Sequence, residues 1–477
     1  MESFDLVVIG SGPGGQKCAV QAAKLGKKVA IVERHHEVGG VCINTGTIPS
    51  KTIREAVLDL SGNRQRRLYG EDFAPRRRPT AGDLWARAQQ VMTIERDVIR
   101  AQLQRNGIRV FEGDGRFAAP HTLQITDGDD VTTIQAAFIA IAVGTVPGLP
   151  AGIEVDHTVV LTSDDLLGMT KLPRQMMVVG AGVIGLEYGT ILAELGVDVT
   201  LVDKRTQLLE MVDRELVDAF SYFAREKGLT LRLGEEVDRI ETGSNGQAIV
   251  TMKSGKRTVA ETVLVSAGRV GATSELALEK ASLTADDRGR IAVNEHFQTA
   301  TAHVYAVGDV IGFPALAATS AEQGRHAACH MFNVDTRMVP TLFPFGIYAI
   351  PEISWVGMSE SELTGKGVPF ETGVARYKEI ARGQILGDEH GMLKLIFHID
   401  TKNILGVWCM GTQATELVHI GQMVMALDGT LDTLVNNVFN YPTLAECYKV
   451  AALDGFNKLR DLGAAAAMPA RQTTTGS

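Results

Sequence analysis

A single cysteine stands near a hydroxyl residue in a segment whose layout suits dithiol redox chemistry. Cys42 is followed five residues later by Thr47, and Pro49 and Lys51 come directly after, where a helix is predicted to begin. Two cysteines at this Cys-x4-Cys spacing can close a disulfide and pass two electrons, but one thiol facing a hydroxyl cannot close that ring. We therefore predict that dithiol chemistry is absent here.

A second segment, near the C-terminus, lacks a group that acid/base catalysis needs. Residues 441–446 have the layout of a His-Pro-Thr-x-x-Glu dyad, but Tyr441 occupies the place of the imidazole. A phenol has a pKa of about 10 and is a poor base near neutral pH. We expect Tyr441 to pack or to donate one hydrogen bond, which leaves Glu446 without a catalytic partner.

The elements around these residues contain one repeated unit, a strand that enters a glycine-rich turn and continues as a helix. A second strand follows each helix and ends in an acid, 18 residues after the third glycine in both copies. The three glycines and the acid of each copy are Gly10, Gly12, Gly15 and Glu33, and then Gly180, Gly182, Gly185 and Asp203. This layout predicts two dinucleotide-binding units.

Each residue of the pattern has a separate physical task. The first glycine makes the tight turn, the second lets backbone N–H groups approach a pyrophosphate, and the third allows close helix–strand packing. The positive end of the helix dipole faces the phosphates, and the acid accepts hydrogen bonds from an adenosine ribose. A chain that holds two dinucleotides is suited to moving a hydride between them.

Other segments indicate which dinucleotide each unit binds. A predicted strand over residues 299–309 ends in Gly308-Asp309 and precedes a helix at about 317–332. A carboxylate at a strand end can bind the hydroxyls of a ribityl chain, and the helix N-terminus can face the flavin pyrimidine edge. The stretch 140–147, which includes Gly144, and its counterpart 263–269, which includes Gly268, are predicted to cross between domains. Together with the N-terminal fingerprint, these features indicate FAD.

Composition and charge exclude several kinds of protein. The 477 residues predict about three domains at roughly 150 residues each. The net charge of -9 argues against a nucleic-acid partner, and the basic run at residues 76–78 is interpreted as a solvated loop. No apolar run approaches the roughly 20 residues of a membrane span, and no signal peptide is recognisable, so we predict a cytoplasmic protein with no membrane partner.

The cysteines add a prediction about redox state. Their number is odd and their spacing is unlike that of zinc sites, so we predict reduced thiols and no metal. They are Cys18, Cys42, Cys329, Cys409 and Cys447.

The chain resembles the flavoprotein disulfide reductases, which include dihydrolipoamide dehydrogenase and glutathione reductase, from residue 4 to about 460. Both fingerprints, the Gly-Thr-Ile-Pro-Ser-Lys-Thr segment at 46–52 and the Phe-Asn-Tyr-Pro-Thr-Leu-Ala-Glu segment at 439–446 carry this resemblance. The departures at Thr47 and Tyr441 make the chain similar to those members that exchange hydride between nicotinamide nucleotides.

The resemblance implies an α/β fold class with two Rossmann-like dinucleotide-binding domains, for FAD and NAD(P), and a C-terminal α+β dimerisation domain. The implied divisions are an FAD-binding domain at 1–150, an NAD(P)-binding domain at 151–278, an FAD-domain return at 279–336, a dimerisation domain at 337–463 and a disordered tail at 464–477.

The same resemblance implies roles for individual residues. In the family the lysine matching Lys51 lies beside flavin N5 and pairs with the acid matching Glu187; without the resemblance the two would be unrelated charges on helix surfaces. Cys42 and Thr47 become a vestigial disulfide site. Cys42 is then an inert packed thiol, which we favour, a reactive thiol near a helix N-terminus, or a charge-transfer contact.

The residues implied for the cofactors form two sets. Those for FAD are Gly10, Gly12, Gly15, Glu33, Lys51, Gly144, Gly308 and Asp309. Those for NAD(P) are Gly180, Gly182, Gly185, Glu187, Asp203, Lys204, Arg205 and Gly268.

The implied activity is Si-specific hydride transfer between NADPH and NAD⁺ through FAD, by a homodimer or larger homo-oligomer whose substrates are NADPH/NADP⁺ and NADH/NAD⁺. One alternative is a quinone or diaphorase-type reductase, in which the flavin reduces a small acceptor at the former disulfide face. The other alternative, of a different class, is a flavin-bound redox sensor or structural protein. In such a protein NADPH would not bleach the flavin absorbance.

The segment Asp203-Lys204-Arg205 leads to a hypothesis about dual specificity. Asp203 suits the free 2′-hydroxyl of NAD and repels the 2′-phosphate of NADPH. Lys204 or Arg205 could move over that phosphate and offset the acid. An acid flanked by movable cations is the compromise that a site open to both nucleotides requires; otherwise the segment is a solvated turn.

Overall fold

The computed structural model of the chain describes residues 1–70, 79–243, 245–335 and 341–467, with side chains as far as residue 460. The basic run at residues 76–78 and the last ten residues of the predicted tail lie outside the described residues.

The first domain contains a seven-stranded sheet with the order β3-β2-β1-β6-β5-β4, in which the later strand β17 (Val304–Ala306) also pairs with β6. Its central strand is buried on both faces, with Leu6, Val7 and Val8 at 0% exposure, as expected for a continuous apolar run in a parallel sheet. Its strands before the first crossover are β1 Glu2–Ile9, β2 Val29–Glu33, β3 Arg109–Glu112, β4 Asp114–Ala119, β5 Thr122–Asp127 and β6 Asp130–Ile141. Its helices are α1 Pro13–Lys24, α2 Gly40–Asn44, α3 Thr47–Leu60, α4 Asn63–Tyr69 and α5 Ala81–Arg105.

The second domain contains a five-stranded parallel sheet with the order β11-β10-β9-β15-β8 and a three-stranded antiparallel sheet, β12-β13-β14. Its strands are β8 Val160–Thr162, β9 Gln175–Val179, β10 Asp198–Asp203, β11 Thr230–Leu233, β12 Val237–Thr242, β13 Ala248–Met252, β14 Arg257–Ala260 and β15 Thr262–Val265. Its helices are α6 Val183–Glu194 and α7 Arg214–Glu226.

A two-stranded antiparallel ribbon joins these domains. It consists of β7 Thr145–Pro147, on the way out of the first domain, and β16 Arg269–Gly271, on the way back. Both strands lie in or directly after the stretches expected to cross between domains. Leu276 and Leu278 already pack in the core of the first domain, so the chain has rejoined it three residues before the expected boundary at 279.

The returning segment completes the first sheet. The strand expected over 299–309 is reduced to β17 Val304–Ala306, which pairs with β6 in parallel. A 3₁₀ turn over Gly308–Ile311 and the helix α8 Ala317–Met331 follow. Strand geometry ends early because Gly308 has a φ of +80°, which is incompatible with an extended chain.

The C-terminal domain is an antiparallel five-stranded sheet with the order β18-β19-β22-β21-β20, covered by helices. Its strands are β18 Phe345–Ile347, β19 Ile353–Gly357, β20 Phe370–Arg376, β21 Met392–His398 and β22 Ile404–Met410. Its helices are α9 Glu360–Gly365, α10 Ala381–Leu386, α11 Ala414–Ala426, α12 Leu431–Asn436 and α13 Glu446–Ala467. The predicted fold class, two Rossmann-like domains and a C-terminal α+β domain, is thereby confirmed.

The last helix corrects one boundary. The tail was expected to be disordered from residue 464, but α13 continues to Ala467. Residues 464–467 are consecutive alanines, and alanine has the highest intrinsic helix propensity, which favours extension of the helix.

The length and hydrophobicity of the described helices bear on whether the chain could span a membrane. Within these ranges, no helix is both long enough and apolar enough to cross a membrane.

Candidate functional site

The first glycine fingerprint has the geometry that its sequence predicts. Gly10 has a φ of +102°, and a Cβ on Gly15 would lie 2.0 Å from the carbonyl oxygen of Gly10, so both positions require glycine. A Cβ on Gly12 would have no protein atom within 4 Å. Gly12 also caps α1 without any side-chain hydrogen bond, which leaves the first N–H groups of the helix available to an anion.

Glu33 ends β2 and is almost fully buried at 4% exposure. Its Oε2 accepts hydrogen bonds from the backbone N–H and the hydroxyl of Ser11, at 2.9 and 2.5 Å. A cleft of about 260 Å³ adjoins it, lined by His35, Val38 and Leu103 among others. Open space above Gly12, free N–H groups and a cleft beside the acid fit the pyrophosphate and adenosine of the predicted FAD.

Asp309 and Gly308 lie where the returning strand ends. Burial raises the pKa of Asp309, although the nearby Arg269 and a hydrogen bond with Ser320 oppose that change. The Gly308 N–H donates to Gln323 Oε1 at 2.8 Å, which fixes the turn. The helix α8 that follows also begins without a capping side chain, as expected of a helix that faces a ligand.

The crossing stretches bring Gly144 and Gly268 to the ribbon between the domains. Gly144 has a φ of +65° and its carbonyl accepts from the N–H of Ala272 at 3.1 Å. Gly268 has a φ of +124° and its carbonyl accepts from the N–H of Gly148 at 2.9 Å. Both glycines therefore serve the backbone geometry of the crossover.

Lys51 and Glu187 form an ion pair across two domains. Lys51 is in the second turn of α3 and Glu187 is in the second turn of α6, yet Nζ lies 2.8 Å from Oε2. The Glu187 side chain is 5% exposed and the Lys51 side chain 26%. The two groups are therefore not unrelated charges on helix surfaces: a buried carboxylate holds a half-buried ammonium at one place.

Cys42 and Thr47 face each other at the start of α3. Cys42 is in the short helix α2, and Thr47 is the first residue of α3 rather than a residue before it. Burial raises the pKa of the Cys42 thiol, and the Thr47 hydrogen bond and the Lys51 charge do not offset that rise. A thiol with a raised pKa is a weak nucleophile at neutral pH, which favours the inert interpretation.

The second fingerprint repeats the geometry of the first. Gly180 has a φ of +106°, and a Cβ on Gly185 would lie 2.0 Å from the carbonyl oxygen of Gly180. A Cβ on Gly182 would again have no protein atom within 4 Å. The uncapped N-terminus of α6 and the space beside Gly182 suit the pyrophosphate of a second dinucleotide.

Asp203 is bound on both oxygens by protein groups. Arg205 contacts it through Nε at 2.9 Å and Nη2 at 2.6 Å, while the Ala181 N–H donates to it at 2.6 Å. Burial raises the pKa of Asp203, but these hydrogen bonds outweigh it and the pKa is lowered. Lys204 is exposed. Of the two cations that the sequence offered, Arg205 is therefore the one placed to offset the acid.

The C-terminal segment leaves Tyr441 exposed in the single chain. Tyr441 neither packs nor donates in the single chain: it is 70% exposed, and within the described residues its hydroxyl has no hydrogen bond. Its position in the turn before α13 keeps it away from the core. Glu446 begins that helix, and its Oε1 accepts from the Thr443 N–H at 3.1 Å. This hydrogen bond ties the helix to the turn that precedes it.

Two residues near the site were missed from the sequence. Arg269 donates to the hydroxyl and the carbonyl oxygen of Thr145, at 2.9 and 2.8 Å, and so ties the two strands of the ribbon together. It directly follows Gly268, so its place in the crossing stretch was a usable signal. Tyr348 contacts both Lys51 and Glu187, and nothing in the local pattern indicates this.

Metal binding was tested on the same part of the chain. Among the described residues, no three His, Cys, Asp or Glu side chains are grouped so that they could hold a metal ion. All five cysteines are free thiols.

Comparison with known families gives two matches that together cover most of the chain. The family model of the pyridine nucleotide-disulphide oxidoreductases matches residues 4–324. The model of their dimerisation domain matches residues 343–452.

Curated relatives match over nearly their full length. The chain is 54% identical over 464 residues to a soluble pyridine nucleotide transhydrogenase of Mycobacterium tuberculosis, covering 97% of this chain and 99% of the relative. It is 44% identical over 470 residues to the protein of that name from Chromohalobacter salexigens, covering 96% and 99%.

Solved structures share the fold at lower identity. The HOCl-induced flavoprotein disulfide reductase RclA from Escherichia coli superposes with a TM-score of 0.86 at 25% identity, covering 95% of this chain and 99% of that one. LpdA from Mycobacterium tuberculosis gives a TM-score of 0.86 at 25% identity, with the same coverage.

Proposed function

Because this chain belongs to the pyridine nucleotide-disulphide oxidoreductase family, we propose that it is an FAD-dependent transhydrogenase that transfers hydride between NADPH and NAD⁺. The family and its flavoprotein neighbours imply FAD as cofactor and nicotinamide nucleotides as substrates. The names of the 54% and 44% identical relatives support this activity.

One observation carries the proposal. The chain keeps both dinucleotide-binding geometries and the Lys51–Glu187 pair, yet it has Thr47 where a dithiol needs a second sulfur. A flavin in such a site can be reduced by one nicotinamide but has no disulfide to pass electrons to. A second nicotinamide nucleotide is then the acceptor that the remaining residues can bind.

The residues proposed to hold FAD would bind it through backbone N–H groups and carboxylate side chains. The N–H groups at the start of α1 bind the pyrophosphate, with Gly10, Gly12 and Gly15 allowing its approach. Glu33 would orient the adenosine ribose, and Asp309 would accept hydrogen bonds from the ribityl chain. When bound, FAD supplies the hydride acceptor and donor that no side chain can supply.

Lys51 and Glu187 are proposed to stabilise negative charge on the cofactor. The Lys51 ammonium would stabilise negative charge on a bound flavin, because Glu187 fixes it in place and it is only partly hydrated. Glu187 holds the ammonium in place and keeps it paired. The second fingerprint and Asp203 position the nicotinamide nucleotide for transfer, and this positioning is the main rate contribution.

Cys42 has no chemical role in this proposal. Its raised pKa and the facing Thr47 hydroxyl support a packed, protonated thiol.

We also infer how the protein assembles and where it is located. The dimerisation-domain match supports a homo-oligomer, and we infer at least a homodimer. We place the protein in the cytoplasm, where five free thiols stay reduced and both nucleotides are present.

The decisive assay follows transfer from NADPH to thio-NAD⁺ by the purified protein, beside lipoamide and glutathione disulfide as acceptors. We expect nucleotide transfer and no meaningful reduction of either disulfide. Cys42→Ser should retain transfer within about tenfold, a barrier change of about 1.4 kcal/mol. Robust lipoamide reduction, or loss of transfer in Cys42→Ser with FAD still bound, would contradict the proposal.

The Si-specific type of transfer is tested separately. With NADPH deuterated at the 4S position, the NADP⁺ that forms should lose the deuterium; with the 4R isomer it should retain the deuterium. The reverse labelling outcome would change the stereochemical assignment while leaving the transfer activity intact.

A further inference from the structure

The Lys51 ammonium has a neighbour that comes from the C-terminal domain. Its Nζ lies 2.8 Å from Glu187 Oε2 and 3.2 Å from Ser50 Oγ, and 4.9 Å from the centroid of the Tyr348 ring. An ammonium this close to an aromatic face is attracted by the ring quadrupole. The ring also covers one side of a group that would otherwise be open to water.

Tyr348 contacts the partner of that ammonium as well. Its backbone N–H donates to Glu187 Oε1 at 2.8 Å, while Oε2 of the same carboxylate binds Lys51. One residue therefore holds both members of the pair, the cation through its ring and the anion through its main chain. The two contacts are separable, because a substitution at position 348 changes the ring and leaves the N–H.

The chain segment that carries Tyr348 is fixed to the helices that carry Lys51 and Glu187. The Ile350 N–H donates to Thr190 Oγ1 on α6 at 3.0 Å. From α3, Arg54 donates to the Ala349 carbonyl oxygen at 3.1 Å and contacts Glu352 at 3.0 Å. Arg54 is 4% exposed. These buried contacts fix the Tyr348 backbone relative to both helices.

We propose that Tyr348 is a positioning residue that acts through Lys51 to set the reduction potential of the bound flavin. The inference rests on the proposed function, which places Lys51 beside that flavin. By excluding water from one side of the ammonium, the ring reduces the screening of its charge, so that Lys51 stabilises the negative charge of the reduced cofactor more strongly. The C-terminal domain thus contributes a residue to the redox site.

The test is the two-electron midpoint potential of bound FAD, measured anaerobically by spectroelectrochemistry without any nicotinamide nucleotide. Tyr348→Leu should make the potential more negative, with the equilibrium constant for reduction falling about tenfold, or about 30 mV. Tyr348→Phe loses only the hydroxyl that bonds to Thr415 and should stay near the wild-type value. If the leucine variant does not fold, Tyr348→Met also replaces the ring, with a flexible apolar side chain that can adapt to the space.

A double-mutant cycle shows whether the ring acts through the ammonium. In a Lys51→Met background, Tyr348→Leu should cause no further shift. Tyr222→Leu, at a tyrosine 68% exposed on α7, controls for loss of an aromatic ring elsewhere and should leave the potential unchanged.

Two results would overturn the inference: an unchanged potential in Tyr348→Leu, or an equal shift with and without Lys51. Neither depends on turnover. A wild-type protein that fails to move hydride from NADPH to thio-NAD⁺ would instead contradict the proposed function, so the two failures are distinguishable.

Discussion

The side chains of the proposed redox site combine one ion pair with one uncharged thiol. Glu187 is buried and Lys51 is only partly exposed, so neither group is fully hydrated and each depends on the other. Cys42, with its pKa raised by burial, stays protonated near neutral pH and adds no charge. Of these three groups, only Lys51 and Glu187 therefore carry charge.

Removal of one member of the Lys51–Glu187 pair should affect both the rate of flavin reduction and the stability of the protein. Glu187→Gln leaves the ammonium without its counter-charge, at a cost of about 1–3 kcal/mol because Lys51 retains some solvent. We expect slower bleaching of FAD by NADPH in stopped-flow experiments and a lower unfolding temperature. Lys51→Ala should also slow bleaching while FAD stays bound, since the fingerprint at Gly10 is untouched.

The matched control for the pair is Glu322→Gln, which breaks an exposed ion pair with Arg325 on α8. It should leave both measurements unchanged. Bleaching rates equal to wild type in both Glu187→Gln and Lys51→Ala would remove the pair from the mechanism.

The Arg205–Asp203 contact gives a sharper form of the dual-specificity hypothesis. Arg205→Ala leaves Asp203 as an uncompensated carboxylate that repels a 2′-phosphate, so KM should rise far more for NADPH than for NADH. Asp203→Ala frees the guanidinium and should do the reverse. Steady-state KM values for both nucleotides measure this preference.

Lys204→Ala serves as the comparison, because this side chain is exposed and does not contact Asp203 within the described structure. We expect it to change the NADPH preference less than Arg205→Ala does. Equal effects of Arg205→Ala on the two nucleotides would mean that the phosphate is recognised elsewhere.

Among the secondary-structure elements, the two strand–turn–helix units pack the helix against the preceding strand in the same way. The first glycines differ by only 4° in φ, at +102° and +106°. In both units a Cβ at the third glycine would lie 2.0 Å from the carbonyl oxygen of the first. This similarity follows from close packing of a helix against the strand that precedes it, and it leaves the second glycine facing open space.

Two alanine substitutions in the second unit should therefore fail differently. Gly185→Ala forces a methyl group onto the backbone of Gly180 and should cost about 1–3 kcal/mol or more in unfolding free energy. Gly182→Ala meets no protein atom and should fold normally, but its methyl group occupies the space proposed for a pyrophosphate. We expect KM for both nucleotides to rise at least about tenfold, or about 1.4 kcal/mol.

Thermal unfolding and FAD absorbance distinguish the two outcomes. Gly182→Ala should keep the wild-type unfolding temperature and its full FAD content, because the first fingerprint is unchanged. A wild-type KM in that variant would show that nucleotide phosphates bind away from α6.

At the scale of the whole molecule, a buried lysine joins the second domain to the C-terminal domain. Lys394 of β21 is 2% exposed, and its Nζ lies 2.9 Å from Asp213 and 3.2 Å from Glu215, with Glu360 also bound. Asp213, also 2% exposed, caps α7. Burial lowers the pKa of Lys394, but the hydrogen bonds and charges of Glu360 and Asp213 raise it by more. The pKa is therefore raised overall.

Lys394→Met should destabilise the protein by about 3–5 kcal/mol, because Asp213 would remain buried without a counter-charge. A raised lysine pKa contributes stability that is complete below the unfolded pKa of 10.5 and is lost as pH rises through the folded value. The difference from wild type should therefore stay constant across neutral pH and shrink only in strong alkali. Thermal unfolding at several pH values measures it.

Lys402→Met is the control, since Lys402 is 35% exposed and pairs with the exposed Asp432. It should cost less than about 1 kcal/mol. A Lys394→Met protein as stable as this control would show that the ion pairs of Lys394 contribute little to holding the two domains together.

Features that depend on short-range backbone rules could be predicted from the sequence alone. Glycine spacing predicted both dinucleotide units, and the acids at Glu33 and Asp203 do lie at the ends of the second strands. The missing sulfur at Thr47 also needed only the sequence. Turn geometry, helix entry and residue identity involve neighbours within about 20 residues, so they can be read without a fold.

Only the tertiary structure decided which distant residues meet. Lys51 and Glu187 are 136 residues apart, and Tyr348 reaches Glu187 across 161 residues. Local patterns also suggested a longer strand before Gly308, and this expectation was wrong. Such contacts depend on the angles between helices and the packing between domains, and no local periodicity encodes them. The redox site is therefore predictable in its parts from the sequence, but its arrangement exists only in the folded chain.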